Sequence, residues 1–471
     1  MKFCIKSQNG YVLKKERTWF EIYRFQAKKD DNNTVLCYNK AILNKRRIKK
    51  MEYKNKAVVL GANYYIGLST IRCLGKAGVS VTAVDYDRDK AYGLESKYCK
   101  EIGIAPHYKN EPERFLSFLI DYAKGQEEKP VLIPTADPYV EFIDTYFDEL
   151  KQYYLFPMQE KGIYTKLMDK DKFYQFCQEI GAVIPETVLL DEDNFMEKVK
   201  QNVGFPCMVK PADSPSFMHE FRQKMFKVHD EKELEEAVAK AKEKNIDVFI
   251  QRIIPGFDDH MYTFDAYINQ EGEITHWTTC QKYRQYPINF GASVYTTQKY
   301  VKELYDIAAP FLKKTGFRGF AEIEFKKDEN TGQFYIIEVN VRITNFNALL
   351  YKCGLNMPYI TYREMIGAPL PNKSIEKDLG IVFWCAYEDM FAVRDYIKTK
   401  QLTPLQIAKT TFWPLHRWCK HFQKRFGPRV ASVETLCRLY AFVELTFSIC
   451  VFDVVPPSKV DYNRYRSMLL S

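Results

Sequence analysis

The sequence lacks the features that hold small or fibrous proteins together. Its 12 cysteines are scattered along 471 residues and none forms a CxxC pair, which argues against a zinc ribbon or a thioredoxin-like dithiol. Glycine and proline number only 21 each while aromatic residues reach 15%, so collagen-like and wholly disordered chains are excluded. The N-terminus has no apolar signal-peptide segment, and we therefore expect reduced thiols in a cytoplasmic protein.

Long hydrophobic runs are missing as well. The most apolar segment, 440–452, contains Glu444 and is shorter than the ~20 residues that a transmembrane helix needs. We interpret it as a buried core helix. No internal repeat is visible, and the length of 471 residues corresponds to roughly three domains.

Positive charge is concentrated at the N-terminus. Residues 1–50 contain 14 Lys and Arg against 4 Asp and Glu, so the net charge of +9 leaves −1 for residues 51–471. We interpret residues 1–50 as a basic tail, either a solvated, poorly ordered leader or a segment that contacts anionic lipid or nucleic acid. A translation start at Met51 is a further alternative. Because the rest of the protein is almost neutral, no nucleic-acid partner is expected.

Ordered structure is predicted to begin at the apolar strand 57–60. A helical pattern follows, and further apolar strands occur at 79–84 and 131–134. Short apolar runs of this kind are typical of buried parallel strands. The sequence therefore predicts a Rossmann-like α/β domain over residues 51–150.

The loop after the first strand does not fit a dinucleotide. It reads Gly61-Ala-Asn-Tyr-Tyr-Ile-Gly67, which is not GxGxxG, and its bulky centre would obstruct a pyrophosphate. We therefore interpret this domain as scaffold rather than as a nicotinamide or flavin site.

Two further regions follow. Residues 151–371 interleave helices with strands, which is typical of an α+β domain. Residues 372–471 are predicted to be mostly helical. Within them, the segment 394–429 holds nine Lys and Arg against one acid, with Trp, His and Phe interleaved. Such a segment could hold the protein at an anionic membrane surface.

A predicted β-hairpin contains the most informative residues. Its arms, 319–326 and 333–342, alternate polar and apolar residues around turn residues at 328–332. With the hairpin centred near Thr331, cross-strand partners have numbers that sum to 662. The opposite face, which we expect to be core, then holds Ile323, Phe325, Ile337, Val339 and Val341.

The other face of this hairpin groups acidic and amide side chains. The register places Glu324 opposite Glu338 and Glu322 opposite Asn340, with Arg342 on the same face. Opposed carboxylates destabilise a hairpin unless a cation neutralises them, and hard oxygen ligands with a neutral amide suit Mg²⁺, or Mn²⁺ as an alternative. We predict Glu324, Glu338 and Asn340 as metal ligands; a solvated acidic face paired with Arg342 is the other interpretation.

These residues resemble the metal-binding signature of the ATP-grasp superfamily. Glu324 and the run Glu338-Val-Asn-Val-Arg342 match it, and three upstream motifs occur in the expected order. They are Asp169-Lys170, the strand that ends at Lys210-Pro211, and the stretch 249–256, which reads Phe-Ile-Gln-Arg-Ile-Ile-Pro-Gly. The match covers about residues 57–370 and implies an α+β ATP-grasp fold preceded by the α/β domain.

The resemblance also implies which residues bind ATP. Two lysines would neutralise the phosphates, because a buried polyanion requires fixed cations; Lys172 is an alternative to the first of them. The side chain of Gln251, the carbonyl of Arg252 and the amide of Ile254 would contact adenine. The implied nucleotide-binding residues are Lys170, Lys210, Gln251, Arg252, Ile254 and Asp258, the last of these near the ribose.

Within the superfamily, the sequence is most similar to carboxylate–amine ligases of the D-aspartate ligase type. The similarity rests on the spacing of the helix that begins at Lys170 and on the basic loop 282–291. Such enzymes join a carboxylate to an amine through an acyl phosphate. By this resemblance Arg342 binds the acyl phosphate and the oxyanion, and Lys282 and Arg284 hold the substrate carboxylate or the γ-phosphate.

One position departs from the family pattern. D-aspartate ligases carry a second arginine three residues after the position of Arg342, where this sequence has Asn345. An anionic amino-acid side chain would lose a bidentate partner there, which argues against aspartate itself.

The sequence therefore predicts an ATP- and Mg²⁺-dependent, ADP-forming ligase that joins an amino acid to a carboxylated acceptor, such as a cell-wall precursor. A cytoplasmic location with peripheral membrane contact is expected. Two alternatives come from other classes. An ATP-binding regulatory protein without turnover is disfavoured because the candidate metal ligands are intact. Nucleic-acid binding through the basic segments would depend steeply on salt.

Overall fold

The computed structural model divides into two compact units, residues 1–53 and 54–471. The residues that the structure describes are 5–6, 11–16, 19–27, 36–40, 53–212, 214–403 and 406–407. The predicted core helix 440–452 and most of the basic segment 394–429 lie outside them. Within the described part of the chain, no helix is both long enough and apolar enough to cross a bilayer.

The first unit contains an antiparallel sheet with the order β1-β2-β3-β4. Its strands are β1 (Ile5–Lys6), β2 (Tyr11–Glu16), β3 (Trp19–Ala27) and β4 (Leu36–Lys40). This differs from the unstructured basic tail that the charge distribution suggested. The nine residues of β3 include four aromatic residues and one isoleucine, and these residue types fit a pleated sheet whatever the net charge of the segment.

The second unit begins with a four-stranded parallel sheet of order β7-β6-β5-β8, connected by helices. The strand β5 is wholly buried, as its unbroken apolar sequence requires. The elements are β5 (Ala57–Leu60), α1 (Tyr65–Lys76), β6 (Val81–Asp85), β7 (Cys99–Ile104), α2 (Pro112–Lys124), β8 (Val131–Pro134), α3 (Asp137–Thr145) and α4 (Phe147–Lys151).

The loop after β5 is closed by protein groups. The carboxylate of Asp85 accepts a hydrogen bond of 2.7 Å from the Ala62 amide. A Cβ on Gly67 would lie 2.0 Å from the Gly61 carbonyl oxygen, and a Cβ on Gly61 would lie 2.9 Å from the Tyr139 ring. These glycines are therefore explained by close packing within the domain, and Asp85 holds the loop in place. This geometry supports the interpretation of the domain as scaffold.

A first α+β lobe follows, with an antiparallel sheet of order β11-β10-β12-β9. The helix α9 covers this sheet with four buried apolar residues, and its N-cap Asp230 accepts a hydrogen bond from the Glu233 amide. The elements are α5 (Ile163–Met168), α6 (Lys170–Glu179), β9 (Thr187–Leu189), α7 (Phe195–Lys198), β10 (Cys207–Pro211), α8 (Ser214–Phe221), β11 (Phe226–Val228), α9 (Glu231–Glu243) and β12 (Val248–Arg252).

A second lobe is built on a larger sheet of order β17-β16-β13-β14-β15-β19, with β18 pairing in parallel with β14. The elements are β13 (Met261–Ile268), β14 (Ile274–Tyr286), β15 (Ala292–Gln298), α10 (Lys302–Thr315), β16 (Gly319–Lys327), β17 (Phe334–Asn340), α11 (Asn347–Cys353), α12 (Met357–Met365), β18 (Lys373–Ser374), β19 (Val382–Trp384) and α13 (Ala386–Lys398). The region after residue 371 thus begins with two short strands before its first described helix.

The predicted hairpin register is confirmed in the half that contains the polar residues. Glu324 pairs with Glu338, and Glu322 pairs with Asn340. A bulge then shifts the register, so that Phe325 faces Ile336 and the latter is fully buried. The sequence had assigned the neighbouring residue, Ile337, to the core face, because simple alternation cannot anticipate a bulge.

Candidate active site

Two rows of polar side chains cross the second lobe. One row runs Asp265, Glu322, Asn340 across β13, β16 and β17, and the next row places Glu324 beside Glu338. Side chains directly opposite on neighbouring strands have Cβ atoms about 5 Å apart. The hairpin therefore brings together the three predicted metal ligands, with a third strand contributing a further carboxylate.

Hydrogen bonds fix the first of these rows. Asn340 Nδ2 donates to Glu322 Oε1 at 3.2 Å and to Glu338 Oε1 at 3.4 Å. The Thr344 hydroxyl donates to the other oxygen of Glu322 at 2.8 Å. With both amide hydrogens directed at carboxylates, the carbonyl oxygen of Asn340 is the atom that remains for a cation.

Lys282 lies among these carboxylates. Its Nζ is 2.5 Å from Glu324 Oε1, and the residue is 3% exposed. Burial alone would lower the pKa of this lysine, but the nearby carboxylates, Glu324 above all, more than compensate and raise it. The structure thus places Lys282 in the predicted site as the countercharge of the acidic cluster.

The carboxyl groups of the cluster differ in pKa. Burial raises the pKa of Glu322 to about 8, with repulsion from Asp265 adding to the effect. Burial likewise raises the pKa of Glu324 to about 7, although Lys282 opposes the shift. Glu338 is exposed to solvent. The protein around the Glu338 carboxylate acts to raise its pKa by desolvation. The positive charges of four nearby lysines overcome that effect and lower the pKa; they are Lys170, Lys282, Lys210 and Lys224.

The donor set fits a hard divalent cation. Two carboxylates and one amide oxygen share one face of the hairpin, and such oxygen ligands are what Mg²⁺ selects. Burial is the main cause of the raised pKa of Glu324, and the nearby carboxylates of Glu338 and Glu322 add to it; a bound cation would oppose both effects. None of the described residues forms a group of three or more His, Cys, Asp or Glu arranged to hold a metal, so these ligands would need oxygens from a bound anion to complete a shell.

Lysines of the first lobe face the acidic cluster of the second lobe, and the cleft is the space between these two groups of side chains. Those that lower the pKa of Glu338 include Lys170, Lys210 and Lys224. Lys170 begins α6, and its Nζ donates to the Pro211 carbonyl at 3.3 Å, next in sequence to Lys210. The two predicted phosphate lysines therefore lie together on one side of the cleft.

The alternative lysine, Lys172, points elsewhere. Its Nζ is 3.2 Å from the carboxylate of Asp169, and 62% of its side chain is exposed. Asp169 also caps α6 by accepting a hydrogen bond from the Lys172 amide. The helix start therefore directs Lys170 into the cleft and Lys172 to the surface.

Lys210 is the most perturbed lysine of the site. It is 7% exposed, and its Nζ donates to Gln251 Oε1 at 3.0 Å and to the Tyr174 hydroxyl at 3.3 Å. Burial lowers the pKa of Lys210 to about 8, even though Glu338 and Glu324 attract the proton. A cation held among neutral partners in this way is poised to bind an anion.

Gln251 supports Lys210 and does not face open space. The residue is fully buried, and its Nε2 donates to the Thr187 hydroxyl at 2.9 Å while its Oε1 accepts from Lys210. In this structure the Gln251 side chain is engaged by protein groups, and its contact with adenine stays a prediction. Both ends of the side-chain amide are already hydrogen-bonded, so Gln251 positions the lysine.

Arg252 and Ile254 lie where the chain passes between the lobes. The Arg252 guanidinium binds Glu186 at 3.1 Å and approaches the Asp328 carboxylate at 3.5 Å. Its backbone amide donates to the Glu186 carbonyl at 2.9 Å, and Ile254 is 5% exposed. The side chain of Arg252 is engaged structurally, which leaves the predicted role to its backbone carbonyl.

Two predicted site residues are structural instead. Asp258 is 2% exposed, and its carboxylate accepts hydrogen bonds from Gln285 Nε2 at 2.9 Å, from the Asn289 amide at 2.8 Å and from the Tyr396 hydroxyl. The prediction that Asp258 approaches a ribose is contradicted, because its oxygens already serve these protein donors.

Arg284 is the second of them. Its Nε and Nη2 donate to the two oxygens of Asp389 at 2.6 and 2.7 Å, the guanidinium lies over the Tyr295 ring, and the residue is 1% exposed. The prediction that Arg284 holds substrate is wrong, since this guanidinium is buried against helix α13.

Arg342 completes the site at the end of β17. Its Nε and Nη2 donate to the two carboxylate oxygens of Asp137 at 2.7 and 3.0 Å. Asp137 is the first residue of α3 in the preceding α/β domain. The arginine predicted to bind an oxyanion therefore already binds one, supplied by the chain itself.

Three residues of this arrangement were not predicted. Asp265 follows the alternation of β13 onto the polar face, and Tyr174 lies four residues after Lys170 on the same face of α6; both spacings could have been noticed. Asp137 gave no comparable signal, because its partner lies 205 residues away.

Comparisons with known proteins agree with this geometry. A family model described as the D-ala D-ala ligase C-terminus matches residues 178–353. The structure is similar to biotin carboxylase from Campylobacter jejuni, with a TM-score of 0.54, 19% identity and coverage of 69% of this chain and 73% of that one. It is also similar to N5-carboxyaminoimidazole synthetase from Staphylococcus aureus, with a TM-score of 0.56, 14% identity and coverage of 74% and 87%. The fold is that of the ATP-grasp superfamily.

Sequence relatives within the ATP-grasp superfamily are ligases. D-aspartate ligase from Enterococcus faecium is 24% identical over 291 residues, which are 58% of this chain and 69% of that protein. D-alanine–D-alanine ligase from Thermoanaerobacter pseudethanolicus is 28% identical over 189 residues, 37% of this chain and 50% of the relative. The chain thus spans between half and about two thirds of these relatives. The predicted resemblance to carboxylate–amine ligases is confirmed.

Proposed function

We propose that this protein is an ATP- and Mg²⁺-dependent ligase that joins a carboxylate to an amine through an acyl phosphate and releases ADP and phosphate. The observation that carries the proposal is the opposition of Lys170 and Lys210 to the acidic pair Glu324 and Glu338, with Arg342 beside them. Fixed cations and candidate metal ligands facing one cleft are what a nucleotide triphosphate requires. A solved structure of the staphylococcal synthetase with ADP has the same fold, with a TM-score of 0.53.

The lysines supply the charge that holds the phosphates. The ammonium groups of Lys170 and Lys210 donate to neutral oxygens, the Pro211 carbonyl and Gln251 Oε1. A phosphate oxygen can take the place of each of these acceptors. The carbonyl of Arg252 and the amide of Ile254 remain the candidates to contact adenine. Glu324, Glu338 and Asn340 would hold Mg²⁺, which supplies charge neutralisation at the transferring phosphoryl group.

Lys224 gives the cleft a cover. This residue follows α8, and its Nζ donates to the Phe290 carbonyl in the loop between β14 and β15 at 2.7 Å. The contact joins a loop of the first lobe to a loop of the second. Closure of such loops excludes water, which protects an acyl phosphate from hydrolysis.

The chemistry follows from these charges. A carboxylate oxygen of the first substrate attacks the γ-phosphorus, and the bond to ADP breaks. The amine nitrogen then attacks the acyl carbon, and phosphate leaves. Arg342 would bind the oxyanion of the tetrahedral species, while Lys282 keeps the acidic cluster from repelling the phosphates.

The substrates are proposed at the level of chemical class. We propose an amino acid as one substrate and a carboxylated acceptor, such as a cell-wall precursor, as the other, because D-aspartate ligase is among the relatives. Asn345 donates to the Ser293 carbonyl at 3.1 Å and offers no cation for an acidic side chain. A neutral amino acid is therefore favoured over aspartate.

Peripheral membrane contact through the basic segment 394–429 is part of the proposal, because its charge suits anionic lipid. The test is sedimentation with vesicles of anionic lipid, with and without residues 404–429. Equal sedimentation of both proteins would contradict this contact.

The test of the proposed function is an adduct screen. The protein is incubated with ATP, Mg²⁺ and pooled L- and D-amino acids, and phosphate release and product masses are measured. Lys170→Ala should lose turnover, whereas Lys172→Ala, a matched removal of a lysine from the surface of the same helix, should keep it. Release of phosphate with no amino-acid dependence, or equal activity of both variants, would contradict the proposal. A regulatory ATP-binding protein would bind ATP but yield no product.

A further inference from the structure

The ion pair between Arg342 and Asp137 joins two regions of the chain that lie 205 residues apart in the sequence. Asp137 stands where β8 ends and α3 begins, at the carboxyl edge of the parallel sheet, which is where ligands bind in α/β sheets. Arg342 follows the metal-ligand strand β17. The contact therefore connects the α/β domain directly to the proposed reaction centre.

The geometry of this pair is the geometry of ligand recognition. Two parallel hydrogen bonds, of 2.7 and 3.0 Å, join Nε and Nη2 of Arg342 to the two oxygens of Asp137. A guanidinium binds carboxylate and phosphate ligands with the same two-pronged arrangement. While Asp137 is in place, the donors that such a ligand would use are taken.

Asp137 is nevertheless easy to displace. Its side chain is 44% exposed, whereas that of Arg342 is 18% exposed. Ion pairs with an exposed partner stabilise folded proteins only slightly, because water solvates the released charge. The pair of Arg284 and Asp389, with exposures of 1% and 4%, is the opposite case and cannot open without leaving buried charges.

We propose that Asp137 is the resident occupant of the oxyanion position on Arg342 and that the anionic substrate must displace it. Asp137 is then a determinant of substrate affinity contributed by the α/β domain. The inference rests on the proposed function for the nature of the substrate, but the exchange itself requires only an oxyanion. Ligands that offer two oxygens to Arg342 compete with Asp137. Their apparent affinity is the intrinsic affinity multiplied by the fraction of molecules in which Arg342 is free.

The test is calorimetric titration of the full-length protein with inorganic phosphate in the presence of ADP and Mg²⁺. Asp137→Asn removes the competing charge with little change of shape and should bind phosphate about twofold to sixfold more tightly than the wild type, the range expected for loss of an exposed ion pair. Asp137→Ser is a second variant with the same expectation. Glu141→Gln removes the same charge one turn along α3 and should leave the affinity unchanged.

Dependence on Arg342 makes the result specific. In the Arg342→Met background, Asp137→Asn should give no gain in phosphate affinity. Unchanged or weaker binding by Asp137→Asn, a gain that persists without Arg342, or no phosphate binding by any of these proteins would overturn the inference. Failure of the proposed function looks different: phosphate affinity rises with Asp137→Asn through Arg342, yet ATP yields no amino-acid adduct.

Discussion

Single residues of the site combine burial with a charge that a ligand must satisfy. Lys210 is the clearest case, because its ammonium group rests on Gln251 and Tyr174, two neutral side chains. Burial lowers its pKa to about 8, well below the usual value of about 10.4 for lysine. Phosphate oxygens would supply the missing countercharge and return the pKa towards its usual range.

Nucleotide binding should therefore take up a proton above neutral pH. At pH 8.5, a lysine with a pKa near 8 is about three-quarters unprotonated in the free protein, and it becomes protonated when phosphates bind. We expect Lys210 to contribute a proton uptake that is several times larger at pH 8.5 than at pH 7, with ATP affinity falling as the pH rises through 8. Glu322 and Glu324, whose pKa values are raised by burial, should release protons when Mg²⁺ binds, so the contribution of Lys210 is obtained as the difference between the wild type and a variant without this lysine. Calorimetry in buffers of different ionisation enthalpy measures this uptake.

Lys210→Met should remove this contribution to the net proton uptake at pH 8.5, and Lys172→Met should leave the net uptake as in the wild type. Uptake that survives in Lys210→Met would assign the titrating group elsewhere.

Arg342 should matter for the chemical step more than for nucleotide binding. Loss of one donor to a developing oxyanion costs about 10²–10³ in rate. We expect Arg342→Ala to reduce kcat by about that factor while the affinity for MgATP changes little. Steady-state kinetics and equilibrium ATP binding separate the two effects. A variant that loses ATP binding but keeps kcat at saturation would place Arg342 on the nucleotide instead.

At the scale of elements, the polar hairpin could be predicted while its surroundings could not. Glu324 and Glu338 were paired from alternation and a turn alone, and the register is confirmed. Asp258 and Arg284 were misassigned because their partners, Tyr396 and Asp389, lie 138 and 105 residues further along the chain. Local sequence pattern identifies which residues have side chains suited to a site. Partners that are distant in the sequence determine which of these side chains form structural contacts instead.

Helix α13 is held to the second lobe by buried polar groups. Asp389 accepts hydrogen bonds from Arg284 and, at 2.8 Å, from Trp384 Nε1. Removal of one partner of a buried ion pair costs about 3–5 kcal/mol, because the other charge is left uncompensated. We expect Asp389→Ala to lower the free energy of unfolding by about this amount in urea titrations.

A matched exposed pair on the same helix provides the control. Arg394 binds Asp395 at 3.0 Å with 55% and 30% of the side chains exposed, and Asp395→Ala should change stability by at most about 1 kcal/mol. Equal effects of Asp389→Ala and Asp395→Ala would show that the buried pair does not hold α13 in place.

For the whole molecule, the preceding α/β domain and the region after residue 371 are both part of the site's support. Asp137 reaches Arg342 from one side, and α13 fixes β14 from the other through Asp389 and Tyr396. The sequence indicated three consecutive regions but no such interlocking. It also gave no sign of the antiparallel sheet β1–β4, because the charge of residues 1–50 obscured the aromatic content of β3.

Truncated proteins show which part of the C-terminal region the fold requires. A protein that ends at residue 403 retains α13 and should fold and bind ATP like the full chain. A protein that ends at residue 371 loses β19 and α13. Arg284 then lacks its buried partner Asp389 and Asp258 lacks one of its three donors, Tyr396, so this protein should be insoluble or melt far earlier. Soluble yield and thermal unfolding with and without MgATP measure both. Normal folding of the shorter protein would contradict this account of the C-terminal region.

The central claim is that a carboxylate is phosphorylated in the cleft between the two lobes. The most direct measurement uses the carboxylate substrate found by the adduct screen, labelled with ¹⁸O in both carboxyl oxygens, and determines the isotope content of the released phosphate by mass spectrometry. Attack of a carboxylate oxygen on the γ-phosphorus predicts one ¹⁸O in each phosphate formed with product, and none with Glu338→Gln, which forms no product. Product formation with unlabelled phosphate would contradict the acyl-phosphate mechanism.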